Sequence, residues 1–288
     1  MLHTSTTHPH LTETDISFFK TEGYLKIEQA IPFCLLSRLQ QMFHRLMFEY
    51  APFHELVRYK KNGTEYISNI EHVCNKDNLA ALELLGYPII LQIAETICGP
   101  DFFPIQDFSV IKMKGDDSTV FWHQDMENKR SAPSFTMGIY LDDADEHEGA
   151  LRVVPGSHRS GKNICTLIKE DNRVISAKAG DILIHDMLTA HSSGSLTNNA
   201  IRRVIYFEFL SPELVRAENI YPEDLIRRRT ALVPAALKYY QQQHPAEPGF
   251  EWKNSLATEY CYPGTVEHQL KQIYAAPVGA RPSAYCFE

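Results

Sequence analysis

Two short segments hold the residues with the most chemistry in them: F-W-H-Q-D at 121–125, and H-S-S-G-S-L-T-N-N-A-I-R-R at 191–203. In an extended strand, residues i and i+2 point to the same side, so His123 and Asp125 can face one metal ion. His191, arriving from a distant segment, completes a two-histidine, one-carboxylate face. That donor set holds Fe(II) and leaves three coordination positions open, which a cosubstrate and dioxygen need. Arg202 follows His191 by eleven residues, and its planar guanidinium matches a carboxylate in two parallel hydrogen bonds. The four residues together predict iron chemistry with dioxygen and 2-oxoglutarate, with Arg202 clamping the far carboxylate of the keto-diacid. Singly, each has a plain structural reading. H-x-D arises by chance in a chain with 13 histidines, and a lone strand arginine is usually solvated or ion-paired. Order and context carry the reading.

With those residues in place, the chain resembles the phytanoyl-CoA dioxygenase family of Fe(II)/2-oxoglutarate oxygenases. The family's running pattern is W-H-Q-D, then D-D-x-x-x-x-x-G-x-L-x-V-V-P-G-S-H, then G-D, then H-x-S with an arginine eleven residues past the histidine. Here it reads as Trp122 to Asp125, residues 142–158, Gly180 with Asp181, and His191, Ser193 and Arg202. The stretch L-T-E-T-D-I-S-F-F-K-T-E-G-Y-L-K-I is similar to the family's opening helix and strand, so the likeness covers about residues 11–210. It implies a mainly β fold with flanking helices, a double-stranded β-helix of the jelly-roll, cupin-like class. It also implies that 2-oxoglutarate is bound by Arg202 with help from the Ser193 hydroxyl, and that succinate and CO2 are co-products. Related halogenases lack the carboxylate that Asp125 supplies, so the resemblance implies hydroxylation. Two departures touch the cosubstrate's surroundings: Gly138 stands where many members carry a Trp that helps hold it, and Glu148 replaces a frequent Asn.

Composition narrows the classes. At 288 residues and 32.9 kDa, with barrels commonly exceeding 200 residues as one unit, we expect a single oxygenase domain over 1–288. Within it, residues 11–101 would give amino-terminal helices and a strand, 102–210 the barrel with the metal site, and 211–288 a helical extension and tail. A net charge of -8 and a pI near 5.9 argue against a nucleic-acid partner. The longest basic cluster, Arg227 to Arg229, reads as the exposed face of a helix. No apolar run approaches a bilayer's thickness, and the start lacks the basic and apolar parts of a secretory signal. A soluble, cytoplasmic protein, monomer or homodimer, is expected. The six cysteines, 34, 74, 98, 165, 261 and 286, show no C-x-x-C spacing and read as reduced thiols.

The elements that must position the site follow from pattern. Thr12 or Thr14 caps a helix over 14–22 that Gly23 closes, and Y-L-K-I-E follows as a strand. Leu35, Leu36, Leu39, Met42, Phe43, Leu46 and Met47 recur at helical spacing and predict an amphipathic helix over 34–49. Residues 54–75 read as a loop approaching the pocket, and 78–98 as one helix. From Phe102 onward, short β-like segments alternate with Gly, Asp and Asn. Alternation puts Gln106, Phe108, Val110 and Lys112 on one face; if that face is inward, Gln106 and Lys112 touch cosubstrate or substrate, and otherwise the strand is a solvated edge. In R-R-V-I-Y-F-E-F-L, Arg203, Ile205, Phe207 and Phe209 suit packing against helices, which leaves Arg202, Val204, Tyr206 and Glu208 inward. His158, in P-G-S-H, reads as part of a tight corner, and His147 as solvent-facing. His185 lies close enough to His191 to line the pocket, although the resemblance favours His191 as the ligand. Residues 223–243 read as helical with an interruption at Pro234. The tail beyond 247 either covers the site or makes a subunit contact.

The family's substrates include acyl-CoA thioesters, amino acids, ectoine, phosphonates and natural-product scaffolds, so fold alone does not single one out. The chain shows no basic patch for CoA phosphates beyond Arg58, Lys60 and Lys61, and we expect a small polar metabolite or a natural-product intermediate. Met126, Glu127, Arg130, Tyr140 and Arg152 are the candidate substrate contacts. Two rivals stand beside the oxygenase: a catalytically idle metal-binding relative, and a cupin-type enzyme that uses no 2-oxoglutarate. Neither needs Arg202.

Overall fold

The computed structural model describes residues 4–5, 10–127, 132–198, 201–254, 259–279 and 283–287. A two-residue strand β1 (Thr4–Ser5) precedes helix α1 (Glu13–Glu22). The Thr12 hydroxyl accepts from the Asp15 amide while the Asp15 carboxylate accepts from the Thr12 amide, a reciprocal cap. Gly23, at φ 81°, ends the helix in the left-handed conformation that a glycine enters without strain. Strand β2 (Tyr24–Ile27) and helix α2 (Phe33–Phe48) follow, and the residues α2 buries are the seven its spacing picks out. Each such Leu, Met or Phe contributes roughly 1.5–3 kcal/mol by leaving water.

Two expectations for the next stretch are corrected. Residues 54–75 are not a loop but mostly a hairpin, β3 (Leu56–Lys61) and β4 (Thr64–Glu71), whose turn Asn62-Gly63 has both φ values positive, at 50° and 81°. Asn-Gly is the residue pair such a turn requires. The single helix expected over 78–98 is two, α3 (Ala80–Gly86) and α4 (Pro88–Cys98), because Pro88 forces Tyr87 into an extended conformation. Among the described residues no single helix is long and apolar enough to cross a membrane. The bent pair α3 and α4 passes that test only jointly, and its apolar residues lie mostly within the core.

The barrel strands are β5 (Phe103–Met113), β6 (Val120–Gln124), β7 (Ser134–Tyr140), β8 (Leu151–Val153), β9 (Arg173–Ile175), β10 (Ile182–Asp186), β11 (His191–Ser193) and β12 (Ile201–Leu210), with a short helix α5 (Ile164–Leu167) between β8 and β9. The larger sheet runs β1-β2-β10-β7-β12-β5-β4-β3. The smaller runs β13-β6-β11-β8-β9, where β13 (Ala284–Cys286) comes from the carboxyl-terminal tail. The two sheets form the double-stranded β-helix. Phe135, Met137 and Ile139 of β7, Ile182 and Ile184 of β10, and Ile205, Phe207 and Phe209 of β12 pack outward against the helices as one core. The alternate residues, Thr136, Gly138, His185, Arg202, Tyr206 and Glu208 among them, face inward.

Beyond the barrel come α6 (Pro212–Glu218), α7 (Glu223–Thr230), α8 (Leu232–Gln243) and α9 (Val266–Ile273). The break between α7 and α8 falls at Ala231, and Pro234 sits in the first turn of α8, where its missing N–H removes no helical bond. Two readings of the tail region are corrected. Arg227 and Arg228 do share Asp224 at the surface, but Arg229 is 1% exposed. Cys165 and Cys286 form a disulfide with Cα atoms 5.3 Å apart, so the reduced-thiol expectation fails for this pair. The pairing of β13 with β6 brings two cysteines far apart in sequence into contact, which spacing could not reveal.

Candidate metal centre and cosubstrate pocket

His123 lies on β6 directly opposite His191 on β11, with ring centroids 4.0 Å apart. Each imidazole is oriented the same way: His123 Nδ1 is 2.8 Å from the Phe121 carbonyl, and His191 Nδ1 is 2.8 Å from the Thr189 carbonyl. A carbonyl can only accept, so the N–H sits on Nδ1 and the Nε2 lone pairs are left for a ligand-seeking cation. Both Nε2 atoms point at Asp125 Oδ1, at 3.5 and 3.8 Å. Among the described residues these three form the group able to hold a metal ion, their ligand atoms within 4.8 Å of one another.

The other carboxylate oxygen is held from the larger sheet. Asp125 Oδ2 accepts from the Thr136 hydroxyl at 2.9 Å and lies 3.3 Å from His185 Nε2. Burial alone would favour the protonated acid, but the charge of His191 and hydrogen bonds from His123 and His185 outweigh it and hold Asp125 well below the usual carboxylate range. Burial, with His123 and His185 alongside, pushes His191 well below its ordinary value. An anionic carboxylate beside a neutral imidazole is the state that coordinates a divalent cation.

The same cavity reaches Arg202, and Ser193, Phe108, Val110, Leu151, Tyr206 and Glu208 complete much of its wall. Arg202 is 1% exposed, yet no carboxylate among the described residues lies within ion-pair distance, and its Nε has no acceptor. Its Nη2 is 3.4 Å from the Tyr140 hydroxyl, and the guanidinium lies 5.2 Å over the Tyr140 ring. A buried cation without a counter-ion is expensive unless a ligand supplies one, so the pocket suits a carboxylate. Arg203 points the other way, in a bidentate pair with Asp142.

Gly138 turns out to be tied to Tyr206. The two are directly opposite in the sheet, and a Cβ on Gly138 would stand 2.8 Å from the Tyr206 ring. That ring stacks on Phe108 with centroids 5.4 Å apart, so the phenol occupies the space over Gly138. An aromatic wall is kept, contributed by a different strand.

The remaining candidates divide. The Lys112 ammonium donates to the carbonyls of Ser118, at 3.0 Å, Ser193, at 3.1 Å, and Gly194, so it ties β5 to β11 and does not reach for a cosubstrate. Burial, with Arg202 close by, lowers its pKa to about 7. Gln106 lies six residues from Lys112 along β5, opposite Glu208, and lines a neighbouring cavity away from Arg202. Tyr140 stands behind Arg202, fully buried, and Met126 is packed in an apolar cluster with Met187 and Leu210. Arg152 pairs with Glu146 at the surface, and Glu127 is exposed. These four are therefore not placed to touch a substrate in the cavity, and Arg130 lies outside the described residues. Sequence reasoning missed Thr136 and the Tyr206–Gly138 exchange. Alternation on β7 would have marked Thr136 as inward, but its partner Asp125 depends on sheet register.

A family model described as phytanoyl-CoA dioxygenase matches residues 19–204. L-proline trans-4-hydroxylase of Streptomyces griseoviridis is 28% identical over 146 residues, 49% of this chain and 53% of that protein, so the chain spans about half the length of this curated relative. The crystal structure of EvdMO1 superposes with a TM-score of 0.62 at 25% identity, covering 69% of this chain and 50% of that one. EctD from S. alaskensis, solved with 2-oxoglutarate and 5-hydroxyectoine, gives 0.62 at 17% identity over 74% of this chain and 81% of its own, a likeness of fold. All four residues of the metal and arginine constellation fall inside the matched span, and the chain belongs to the phytanoyl-CoA dioxygenase family.

Proposed function

We propose that this protein is an Fe(II)- and 2-oxoglutarate-dependent dioxygenase, one oxygenase unit over residues 1–288, that hydroxylates a C–H bond of a small polar molecule. The observation that carries this is the pairing of a preorganised N,N,O face with a buried guanidinium lacking any carboxylate partner, both in one cavity. His123 Nε2, His191 Nε2 and Asp125 Oδ1 hold the iron. Arg202 and the Ser193 hydroxyl bind the far carboxylate of the cosubstrate. Iron with 2-oxoglutarate and O2 supplies the oxidising power, with succinate and CO2 released.

The chain's own residues supply position and exclusion. Thr136 and His185 fix the Asp125 carboxylate so that Oδ1 keeps its direction, and the carbonyls of Phe121 and Thr189 fix the two rings. Phe108, Val110, Leu151 and the Tyr206 ring form apolar walls that keep water from the cosubstrate. Anaerobic titration of metal-free protein with Fe(II) and 2-oxoglutarate tests the reading. The visible metal-to-ligand charge-transfer band of the chelate is expected; iron binding without that band would discard the assignment.

A further inference from the structure

Arg229 is the second buried arginine without a carboxylate partner among the described residues. Its Nη1 and Nη2 donate to the carbonyls of Ile273 and Ala276, at 3.3 and 3.2 Å, and its guanidinium lies 4.7 Å over the Tyr274 ring. Those bonds hold the side chain at the end of α9 but leave its charge uncompensated, and Nε has no acceptor. The nearby Asp107 carboxylate is committed elsewhere, accepting from the Tyr274 hydroxyl and the Cys74 amide at 2.8 Å each. Arg229 lines a cavity of about 300 Å³ together with Glu71, His72 and Gln106. By the argument that applies to Arg202, this wall suits an anion.

The cavity adjoins the metal pocket. Strand β4 stops at Glu71, directly opposite Phe108, and Gln106 is directly opposite Glu208. Phe108 and Glu208 line the metal pocket, Glu71 and Gln106 the second cavity, so paired residues of adjacent strands form the wall between them. Along β12 the iron ligands lie toward Glu208, whose partner Thr136 donates to Asp125, while Arg202 is six residues away, roughly 20 Å in an extended strand. A cosubstrate reaching toward Arg202 leaves the Glu208 side for the substrate, which opens toward Glu71. Burial, then the negative charges of Asp107 and Glu208, raises the Glu71 pKa, a repulsion that a cation would relieve.

We propose that the substrate carries an amino-acid head group, bound in this second cavity with its carboxylate on Arg229 and its ammonium beside Glu71, while its side chain reaches the metal pocket. The proposal rests on the oxygenase reading only for which end of the substrate reacts. Calorimetric titration of the metal-free protein with the standard L-α-amino acids, L-norleucine and L-ornithine tests it, followed by the N-acetyl and methyl-ester forms of the best binder. Binding is expected for a member with a side chain of several carbons. Each blocked form should bind at least about tenfold more weakly, since each leaves one buried charge unmatched. Glu71→Gln should weaken the free amino acid by a similar factor and leave the N-acetyl form unchanged, and Arg229→Gln should do the converse for the ester. Should Arg229→Gln fail to fold, the ester comparison carries that arm. Equal binding of free and blocked forms overturns the proposal. So does the absence of any binding in protein that still gives the iron chelate band with 2-oxoglutarate. Loss of the band with amino-acid binding retained would instead overturn the oxygenase reading and leave the subsite standing.

Discussion

At the scale of single residues, adjacent side chains on one strand are assigned opposite tasks by alternation, and the two arginines of β12 separate them cleanly. Arg202→Ala should retain iron and lose the charge-transfer band at 2-oxoglutarate concentrations that saturate the parent. Arg203→Ala should keep the band and lower stability by about 1–3 kcal/mol, because it strips a charge-assisted bidentate pair from Asp142. The reverse result would place β12 one residue out of register. That much was legible beforehand, since apolar residues every second position fix which face meets the helices. The supports of Asp125 were not, because Thr136 and His185 come from two other strands. Removing them with Thr136→Val and His185→Leu together should weaken iron binding by about 10–100-fold in a metal titration, with the three ligands intact. The Gly138–Tyr206 contact gives a non-additive pair: Gly138→Ala should destabilise the protein, and Tyr206→Leu in the same chain should recover part of the loss.

Elements became legible wherever a local signal dominated. Helix α2 carries its buried stripe in its own spacing, and α1 its capping box and terminal glycine. The hairpin of β3 and β4 had a local signal too, Asn62-Gly63, but its strands are half-exposed and polar, so hydrophobic alternation did not announce them. The tie between α3 and α8 was out of reach, because it joins residues 161 apart: His244 Nε2 meets the buried Glu83 carboxylate at 2.7 Å, and Nδ1 meets Glu247 at 3.1 Å. The hydrogen bond from Glu83 raises the His244 pKa above its ordinary 6.5 against the opposing effect of burial. A group whose folded pKa is raised stabilises fully below its unfolded pKa, and that stabilisation disappears as pH rises through the folded value. Melting temperatures of the parent and His244→Gln between pH 5.5 and 8.5 should therefore differ most at the acid end and converge toward the alkaline end. A difference independent of pH would show that the imidazolium is not what joins the helices.

Across the whole molecule, the chain returns at its end to the site it built in its middle. Tyr285 of β13 is paired with His123 of β6 and stacks on its ring at 5.2 Å, with planes 8° apart. Cys286 fastens this strap to Cys165 on α5, closing a loop of 121 residues. No periodicity or motif in the tail foretold this, because short strands that join a sheet edge take their place from the partner strand rather than from their own sequence. Removing the cross-link frees the unfolded chain, worth about 4–5 kcal/mol in the chain-entropy model and typically about 2–4 kcal/mol when measured. The strap also limits how far the His123 ring can turn, so its release should reach the metal. In denaturant the protein should show four reactive thiols before reduction and six after. Cys165→Ser/Cys286→Ser should melt lower and bind iron more weakly than the parent. If the double variant melts lower but binds iron unchanged, the disulfide stabilises the fold while the carbonyl of Phe121 alone suffices to aim His123. Six thiols without reduction would mean that β13 is held to β6 by its backbone hydrogen bonds and the Tyr285 ring alone.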